Sequence, residues 1–300
     1  MGEDFRLNSL NASTIPALIK LQADNLSSKA ALISDHETLS FTDLDKLSTN
    51  IATHLIHIGF LPGDRAAVWA PNMNEWVLAA IAIHKAGGVL VPINTRMKGK
   101  EAAYILNNSE AKVLFSVKTF LGTDYFELLE NEELPYLQHQ ISLDESKSKE
   151  FSQSFKDIKK QALDAQLPEV SETDMADIIF TSGTTGLPKA AIMSNRRYMS
   201  SAALAAVAGL KCTPEDTLYL CLPLYHTTGL LIGAGSAFNS GAGMFIRRKF
   251  SASNFLDEVR ENNCTCLVYI GELCRYLTNS KPASTDRDNP LRSMMGNGMR

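Results

Sequence analysis

The sequence reads Ile178-Ile-Phe-Thr-Ser-Gly-Thr-Thr-Gly-Leu-Pro-Lys189 at its most informative point. Four hydroxyl side chains, two glycines and one lysine fall within residues 181–189, directly after an apolar run typical of a buried strand. Glycines let backbone N–H groups turn toward an anion, hydroxyl groups add donors, and a lysine supplies positive charge. The stretch therefore predicts a loop that holds a polyphosphate.

This loop differs from the common P-loop of nucleotide-binding proteins. The P-loop has four residues between its two glycines and ends in Gly-Lys-Ser/Thr. Here only Thr184-Thr185 separates Gly183 from Gly186, and Leu-Pro precedes Lys189. The alternative interpretation is a polar hairpin between two strands, without a ligand.

The segments on either side of the loop alternate between strand and helix patterns. Apolar residues spaced three and four apart predict an amphipathic helix over residues 42–58, and Gly87-Gly88 ends a second predicted helix. Strands that alternate with helices predict an α/β fold with mostly parallel sheets and flanking helices. The predicted strands are 66–70, 89–93, 111–117, 176–180, 189–193 and 217–222, and the predicted helices are 42–58, 74–86, 101–108 and 195–210.

The chain order of these elements predicts two lobes. Residues 1–120 form a first α/β lobe, and residues 173–300 form a second α/β lobe that carries the phosphate loop. The intervening residues 121–172 contain 12 acidic and 5 basic residues. We interpret them as an acidic insertion or linker with at most short helices, because such charge-rich segments are usually solvated.

Composition excludes some classes of function. The 300 residues carry a net charge of -4, so the chain lacks the basic footprint of a nucleic-acid-binding protein. Residues 217–246 contain no Lys, Arg, Asp or Glu, but Pro223 and five glycines divide them into a buried strand, loop, short helix and strand rather than a membrane span. The N-terminal residues lack the pattern of a signal peptide.

Cysteine and histidine residues offer only weak metal patterns. The chain has five cysteines, and Cys264-Thr-Cys266 lacks a second cysteine pair or a histidine at ligand spacing nearby. We interpret the cysteines as small apolar core residues in a reducing compartment. His54 and His57 lie one turn apart on the predicted helix and are interpreted as solvent-facing residues rather than metal ligands.

Residues 181–189 match the signature Thr-Ser-Gly-Thr-Thr-Gly-x-Pro-Lys at every fixed position. The chain thereby resembles the adenylate-forming (AMP-binding) superfamily of acyl-CoA synthetases, peptide-synthetase adenylation domains and luciferases. A second segment, Leu222-Pro-Leu-Tyr-His-Thr-Thr-Gly229, resembles the Pro-x-x-His-x-x-Gly segment of that superfamily, which borders the acyl site. His226 taken alone would suit an ordinary core position.

Three further stretches narrow the resemblance to the fatty-acid-transport-protein group, also described as very-long-chain acyl-CoA synthetases. They are Ile246-Arg-Arg-Lys-Phe-Ser-Ala-Ser253, Tyr269-Ile-Gly-Glu-Leu-Cys-Arg-Tyr276 and Gly296-Asn-Gly-Met-Arg300. The basic run 247–249 has two interpretations, a solvated strand end or a contact with phosphate or a lipid headgroup.

The resemblance implies a long- or very-long-chain fatty acid CoA ligase that works through an acyl-adenylate, with ATP, Mg²⁺ and CoA as cofactor and cosubstrates and a link to fatty acid uptake. It implies catalytic roles for Thr184, Lys189 and His226. The implied phosphate- and ATP-binding residues are Thr181, Ser182, Gly183, Thr184, Thr185, Gly186 and Lys189, with Thr184 also near Mg²⁺. The implied acyl or adenine contacts are His226, Gly296, Asn297 and Gly298.

The resemblance also implies that the chain is incomplete. The Tyr-Gly-x-Thr-Glu and Thr-Gly-Asp segments of the superfamily do not occur in the 300 residues. We therefore expect an incomplete N-terminal domain without the C-terminal domain, inactive by itself. The alternatives are a non-catalytic nucleotide- or acyl-binding remnant and a CoA ligase for another carboxylic acid. We further expect a cytoplasmic protein or one peripheral on an intracellular membrane, and we keep a homodimer as a hypothesis.

Overall fold

A computed structural model describes residues 12–144, 154–181 and 188–298. The chain forms two compact units. The first unit contains residues 17–42 and the described part of 198–300, and the second contains residues 13–16 and the described part of 43–197. This division differs from the predicted linear lobes 1–120, 121–172 and 173–300. In the first unit, residues 17–42 join the segment from residue 198 onward, because strands from both segments form one sheet.

Strands and helices alternate along the described residues. The strands are β1 (Ala30–Ile33), β2 (Thr38–Ser40), β3 (Arg65–Trp69), β4 (Val89–Pro92), β5 (Ala111–Ser116), β6 (Thr119–Phe120), β7 (Thr123–Asp124), β8 (His139–Ser142), β9 (Met175–Thr181), β10 (Lys189–Ser194), β11 (Thr217–Leu220), β12 (Gly243–Ile246), β13 (Cys266–Ile270) and β14 (Ser293–Asn297). The helices are α1 (Ile15–Leu26), α2 (Phe41–His57), α3 (Asn74–Lys85), α4 (Gly99–Asn108), α5 (Phe155–Ile158), α6 (Asn195–Leu204), α7 (Gly235–Ser240), α8 (Phe255–Glu261) and α9 (Gly271–Thr278), with a 3₁₀ turn at Glu127–Leu129 and π-helical segments at Ala205–Leu210 and Thr228–Ala234.

The second unit is built on a sheet with the strand order β10-β9-β4-β3-β5-β8. Its pairs are parallel except β9 with β10, which run antiparallel. β3 and β4 are short apolar strands buried on both faces, as parallel sheets covered by helices require. Gly87 ends the turn after α3 at a φ of 71°, a left-handed conformation that glycine adopts without strain. The predicted helix stop is therefore confirmed.

The acidic segment 121–172 contributes to this sheet. β8 adds an edge strand parallel to β5, with Val113 opposite His139 in the register. The interpretation of 121–172 as a solvated insertion or linker with at most short helices missed this strand. Within β8, Ile141 and Ser142 are buried and the other two residues are half-buried. Ile141 is the one apolar residue of the strand, so β8 lacks the apolar pattern by which a strand is recognised in a sequence.

The first unit is built on a sheet with the strand order β14-β13-β11-β12-β1-β2. Its pairs are parallel except β1 with β2. One side of the sheet packs its aromatic residues against α8, where Tyr219 meets Phe255 edge to face at 5.0 Å between ring centroids. Both units thus have the predicted α/β architecture of mostly parallel sheets with flanking helices.

The charge-free stretch 217–246 folds as predicted, into β11, a loop, a π-helical segment continued by α7, and β12. In residues 12–144, 154–181 and 188–298, no helix is both long enough and apolar enough to cross a membrane. One prediction on α2 is wrong: His54 is only 4% exposed, whereas His57 faces solvent as expected. The buried face of α2 is wider than a narrow apolar stripe. Ile51, Ala52 and Leu55 have no solvent-exposed surface, and His54 lies among them along the helix.

Candidate functional site

The signature loop connects the two antiparallel strands β9 and β10 of the second unit. Thr181 and Lys189 are opposite each other in the register, and Thr181 Oγ1 donates a hydrogen bond to the backbone oxygen of Lys189 at 3.4 Å. The predicted ligand residues between them, Ser182, Gly183, Thr184, Thr185 and Gly186, lie outside the described residues. The structure therefore places the two ends of the predicted phosphate loop, and the ligand roles stay predictions.

Lys189 is exposed at the start of β10. Within the part of the chain that the structure describes, its Nζ has neither a hydrogen-bond nor an ion-pair partner. A solvent-facing ammonium group next to a loop of glycines and hydroxyl residues is suited to contact a phosphate oxygen. The exposed Lys189 thus fits a polyphosphate ligand, whereas a lysine held by a carboxylate would not.

A buried polar pair anchors β9, the strand that leads into the signature loop. Asp177 in β9 is fully buried, and its Oδ1 lies 3.2 Å from Nε2 of His84 in α3, which is also buried. Asp177 is also paired with Leu90 of β4 in the register. Sequence reasoning missed this pair. Its signal was an aspartate in the middle of an otherwise apolar strand, since buried carboxylates usually have a partner.

The segment containing His226 follows β11 in the first unit. The His226 amide donates to the carbonyl of Pro223 at 3.1 Å, and the His226 carbonyl accepts from the amide of Leu230 at 2.9 Å. This turn leads into the π-helical segment Thr228–Ala234 and leaves the His226 side chain exposed, with the Tyr225 ring centroid 4.9 Å from its own. An ordinary core position is therefore excluded for His226, and its predicted acyl-site role stays a prediction.

Gly229 is required for the shape of this turn. A Cβ atom at Gly229 would lie 2.2 Å from the carbonyl oxygen of Pro223, a distance that no side chain tolerates. The glycine of the Pro-x-x-His-x-x-Gly pattern therefore lets the chain return onto Pro223.

The predicted contacts Gly296, Asn297 and Gly298 lie at the carboxyl end of β14, and all three are exposed. Gly296 is opposite Tyr269 of β13, and a Cβ atom there would lie 2.2 Å from the Tyr269 carbonyl oxygen. β11, β13 and β14 are parallel neighbours, so their carboxyl ends share one edge of the sheet. The structure therefore brings the His226 segment and residues 296–298 to the same sheet edge, where ligands of α/β proteins usually bind.

The basic run 247–249 begins with a residue that is largely buried. Arg247 is 17% exposed and forms ion pairs with Asp35 at 2.6 Å and with Glu258 at 2.8 Å. Tyr219 donates a hydrogen bond to Glu258 at 2.5 Å, and burial together with this bond raises the pKa of Tyr219. Arg247 therefore links β12 to α8, and its guanidinium is occupied by carboxylates of the first unit. Of the two interpretations of this run, neither a solvated strand end nor an available phosphate contact describes Arg247.

Three of the five cysteines have the predicted core character, whereas Cys221 and Cys274 are half-buried. All five are free thiols, and Cys212, Cys264 and Cys266 are buried. Among the described residues, Cys212, Asp216 and Cys266 form a group whose candidate ligand atoms lie within 4.8 Å of one another. The carboxylate of Asp216 is already bound to the guanidinium of Arg292, so this group is poorly suited to hold a cation.

Comparison with known proteins gives curated relatives of about twice this length. The chain is 34% identical over 264 residues to medium/long-chain-fatty-acid–CoA ligase FadD6 of Mycobacterium tuberculosis, a match that covers 88% of this chain and 43% of that protein. It is 32% identical over 310 residues to long-chain fatty acid transport protein 1 of Homo sapiens, covering 99% of this chain and 47% of that protein. The chain thus spans about half the length of these relatives.

Solved structures share the fold. A putative long-chain-fatty-acid CoA ligase from Rhodopseudomonas palustris superposes with a TM-score of 0.83 at 23% identity, covering 94% of this chain and 69% of that one. The structure of ATP-bound MatB from the same organism gives a TM-score of 0.78 at 24% identity, covering 93% and 54%.

The family model of the AMP-binding enzymes matches residues 19–300, which includes both sheets, the signature hairpin and the His226 segment. On that match the chain belongs to the AMP-binding enzyme family.

Proposed function

We propose that this chain carries the ATP- and acyl-binding part of a fatty acid CoA ligase for long- or very-long-chain acids. In the proposed reaction a fatty acid carboxylate attacks the α-phosphate of ATP, which gives an acyl-adenylate and pyrophosphate. The thiol of CoA then displaces AMP to give the thioester. The names of the relatives FadD6 and long-chain fatty acid transport protein 1 support the substrate class.

The observation that carries the proposal is the signature loop at residues 181–189, matched at every fixed position and closed by the β9–β10 hairpin. A carboxylate and a triphosphate repel each other, so the reaction needs donors and cations that neutralise the phosphate charge and hold the reactants in line. In the proposal the hydroxyl groups of Ser182, Thr184 and Thr185 and the ammonium group of Lys189 supply donors, and Thr181 turns its hydroxyl from the Lys189 carbonyl to a phosphate oxygen. Gly183 and Gly186 let the backbone approach the phosphates.

Mg²⁺ would supply further charge neutralisation at the phosphates, with Thr184 as its proposed neighbour in this chain. His226 would border the carboxylate of the acid, and residues 296–298 would line the acyl or adenine pocket. The exposure of His226 and Gly296 on one edge of the first unit's sheet supports these roles.

The test is pyrophosphate release by the protein expressed from its complete reading frame, with ATP and Mg²⁺ and with or without a long-chain fatty acid. We expect release that depends on the acid and acyl-CoA formation when CoA is added. Equal ATP turnover with and without any carboxylic acid would contradict the proposal and indicate a plain ATPase. Turnover only with short or aromatic acids would indicate a CoA ligase that is specific for another class of carboxylic acid.

Three further proposals concern the surroundings of the enzyme. We propose a link of the ligase to fatty acid uptake, a cytoplasmic location or peripheral association with an intracellular membrane, and a homodimer. Cellular uptake of a labelled fatty acid with and without the active protein tests the first, co-sedimentation with phospholipid vesicles the second, and light scattering of the purified protein the third.

A further inference from the structure

Two buried thiols of the first unit lie in direct contact. Cys212 follows the π-helical segment Ala205–Leu210, and Cys266 begins β13. The Cys212 thiol donates to the Cys266 sulfur, with the two Sγ atoms 3.5 Å apart. The two residues are 2% and 0% exposed. A disulfide bond has a length of about 2.05 Å, so a local movement of roughly 1.5 Å would bring the sulfurs to bonding distance.

The neighbours of this pair favour thiol chemistry over metal binding. Oδ1 of Asp216 accepts hydrogen bonds from Thr265 Oγ1 at 2.6 Å and from Arg292 Nε at 2.8 Å. Oδ2 of Asp216 accepts from the amide of Thr213 at 2.8 Å and from the same guanidinium. The carboxylate is therefore saturated, and its guanidinium partner repels a cation. Only the two sulfurs remain available for a reaction.

We propose that Cys212 and Cys266 form an oxidative modification site, at which a peroxide converts the two thiols into one reversible intramolecular disulfide bond. This inference is independent of the proposed function, because it concerns only the chemistry of the pair.

The two thiols have different roles in the reaction. The hydrogen bond from Cys212 lowers the pKa of the Cys266 thiol and outweighs the opposing effects of burial and of the Asp216 carboxylate, and the nearby Arg292 acts in the same direction as the hydrogen bond. The pKa of Cys212 is raised by its bond to Cys266 and by burial. A thiolate is the nucleophile in thiol oxidation, so Cys266 reacts first and Cys212 second, when a local opening of the fold admits peroxide to the buried pair.

The atoms and electrons balance in two steps. The Cys266 thiolate attacks one oxygen of hydrogen peroxide, so an S–O bond forms, the O–O bond breaks, and the sulfur is oxidised to a sulfenic acid while the peroxide is reduced. The hydroxide that leaves takes the proton of the Cys212 thiol. The Cys212 sulfur then attacks the Cys266 sulfur, the S–S bond forms, the S–O bond breaks, and the second oxygen leaves as water after protonation.

The disulfide would link the residues that follow the π-helical segment Ala205–Leu210 covalently to β13, the strand that pairs with β14. Cys266 is opposite Ser293 in the parallel register of β13 and β14, the strand that ends at Gly296 and Asn297. The bond would also close a loop of more than fifty residues between Cys212 and Cys266, which stabilises the folded state relative to the unfolded chain. Oxidation is therefore expected to stiffen this part of the first unit.

The experiment uses the 300-residue chain in a form that retains only the two proposed cysteines, with Cys221, Cys264 and Cys274 replaced by alanine. The folded, reduced protein is treated with hydrogen peroxide, quenched with acid, alkylated and digested with trypsin. We expect the peptide that begins at Cys212 to be joined to the peptide that begins at Glu261, and dithiothreitol to separate them. We also expect the midpoint of thermal unfolding to rise by about 5 °C on oxidation.

The matched control retains Cys212 and Cys264 instead, with Cys266 replaced by alanine. Cys264 lies in the same peptide, two residues away, and burial raises its pKa to about 12. We expect no intramolecular crosslink in this variant. A crosslink of equal yield in the control, or a folded two-cysteine variant that keeps both thiols or forms only disulfide-linked dimers, would overturn the proposal. Loss of the crosslink in the otherwise unchanged chain carrying Cys212→Ser, with retention in Cys264→Ser, is the further result that we expect.

Discussion

His84 Nε2 lies 3.2 Å from Asp177 Oδ1, and this contact joins α3 to the strand that leads into the signature loop. Both side chains are buried, and within the described residues the other polar atom of each, Nδ1 of His84 and Oδ2 of Asp177, has no hydrogen-bond partner. Each side chain therefore depends on the other for its buried hydrogen bond. The pair fixes β9 four residues before Thr181.

We expect His84→Ala and Asp177→Ala each to destabilise the fold by about 1–3 kcal/mol, because each leaves a buried polar group without its partner. The double variant should cost less than the two single costs together, since it removes both polar groups. Urea denaturation of the three variants and the parent measures these free energies. Costs that add within about 0.5 kcal/mol would show that the two side chains do not act as a pair.

Lys189→Ala should lower the activity of the protein expressed from its complete reading frame by about ten- to a hundredfold, through loss of one charge-assisted phosphate contact worth roughly 1.5–3 kcal/mol. The measurement is acid-dependent pyrophosphate release. Lys281→Ala is the matched control, because Lys281 is also exposed but lies in the loop between α9 and β14. Unchanged kinetics in a Lys189→Ala protein with an unchanged melting temperature would remove Lys189 from the site.

Stability should fall in acid through Asp216. Burial opposes ionisation of this carboxyl, but hydrogen bonds from Arg292, Thr265 and Thr213 outweigh it and hold the pKa of Asp216 below its ordinary value of 3.8. Because the pKa is lower in the folded state, the stabilisation is present above the unfolded pKa and is lost as the pH falls through the folded pKa.

Arg292→Met should therefore reduce the dependence of stability on pH below about 4, since it removes the main group that lowers the pKa of Asp216. Urea midpoints between about pH 2.5 and pH 6 test this expectation. Arg287→Met, at an exposed arginine of the loop before β14, should keep the parental slope. Equal slopes for the parent and the Arg292→Met protein would contradict the assignment.

Gly229→Ala should destabilise the chain by about 1–3 kcal/mol, because the added Cβ atom meets rigid backbone at the Pro223 carbonyl. Gly233→Ala is the matched comparison on the same π-helical segment. Its Cβ atom would meet the tip of the Leu220 side chain at 2.7 Å, and a side-chain tip shifts more readily than backbone. Thermal unfolding of both variants measures the difference, and a Gly233→Ala cost equal to or larger than that of Gly229→Ala would count against this explanation.

Much of the second unit could be predicted from local sequence. The helix predicted over 42–58 is observed as Phe41–His57, and the strand predicted over 111–117 as Ala111–Ser116, because their apolar spacing is regular. The pairing of β1 with β12 could not be predicted, since it joins segments far apart in the chain and no local pattern records a partner. The same holds for the His84–Asp177 pair, whose members lie on different elements.

The candidate site was predictable to the extent that it rests on contiguous motifs. Residues 181–189 and 222–229 are short, dense in unusual residue types and visible without a structure. The structural role of Arg247 was not, because a run of three basic residues resembles a solvated surface until Asp35 and Glu258 are seen beside it. A run of charged residues is visible in the sequence, but its role depends on the residues that the fold brings next to it.

The parallel pairing of Leu32 in β1 with Met244 in β12 has a consequence for biosynthesis. A ribosome adds about 5–20 residues per second, so roughly 210 residues take about 10–40 s to follow the first strand. During that interval the second unit can complete its sheet, whereas β1 has not yet paired with β12. We therefore expect the first unit to complete its fold after the second one on the nascent chain, with β1 accessible to chaperones until β12 has been synthesised.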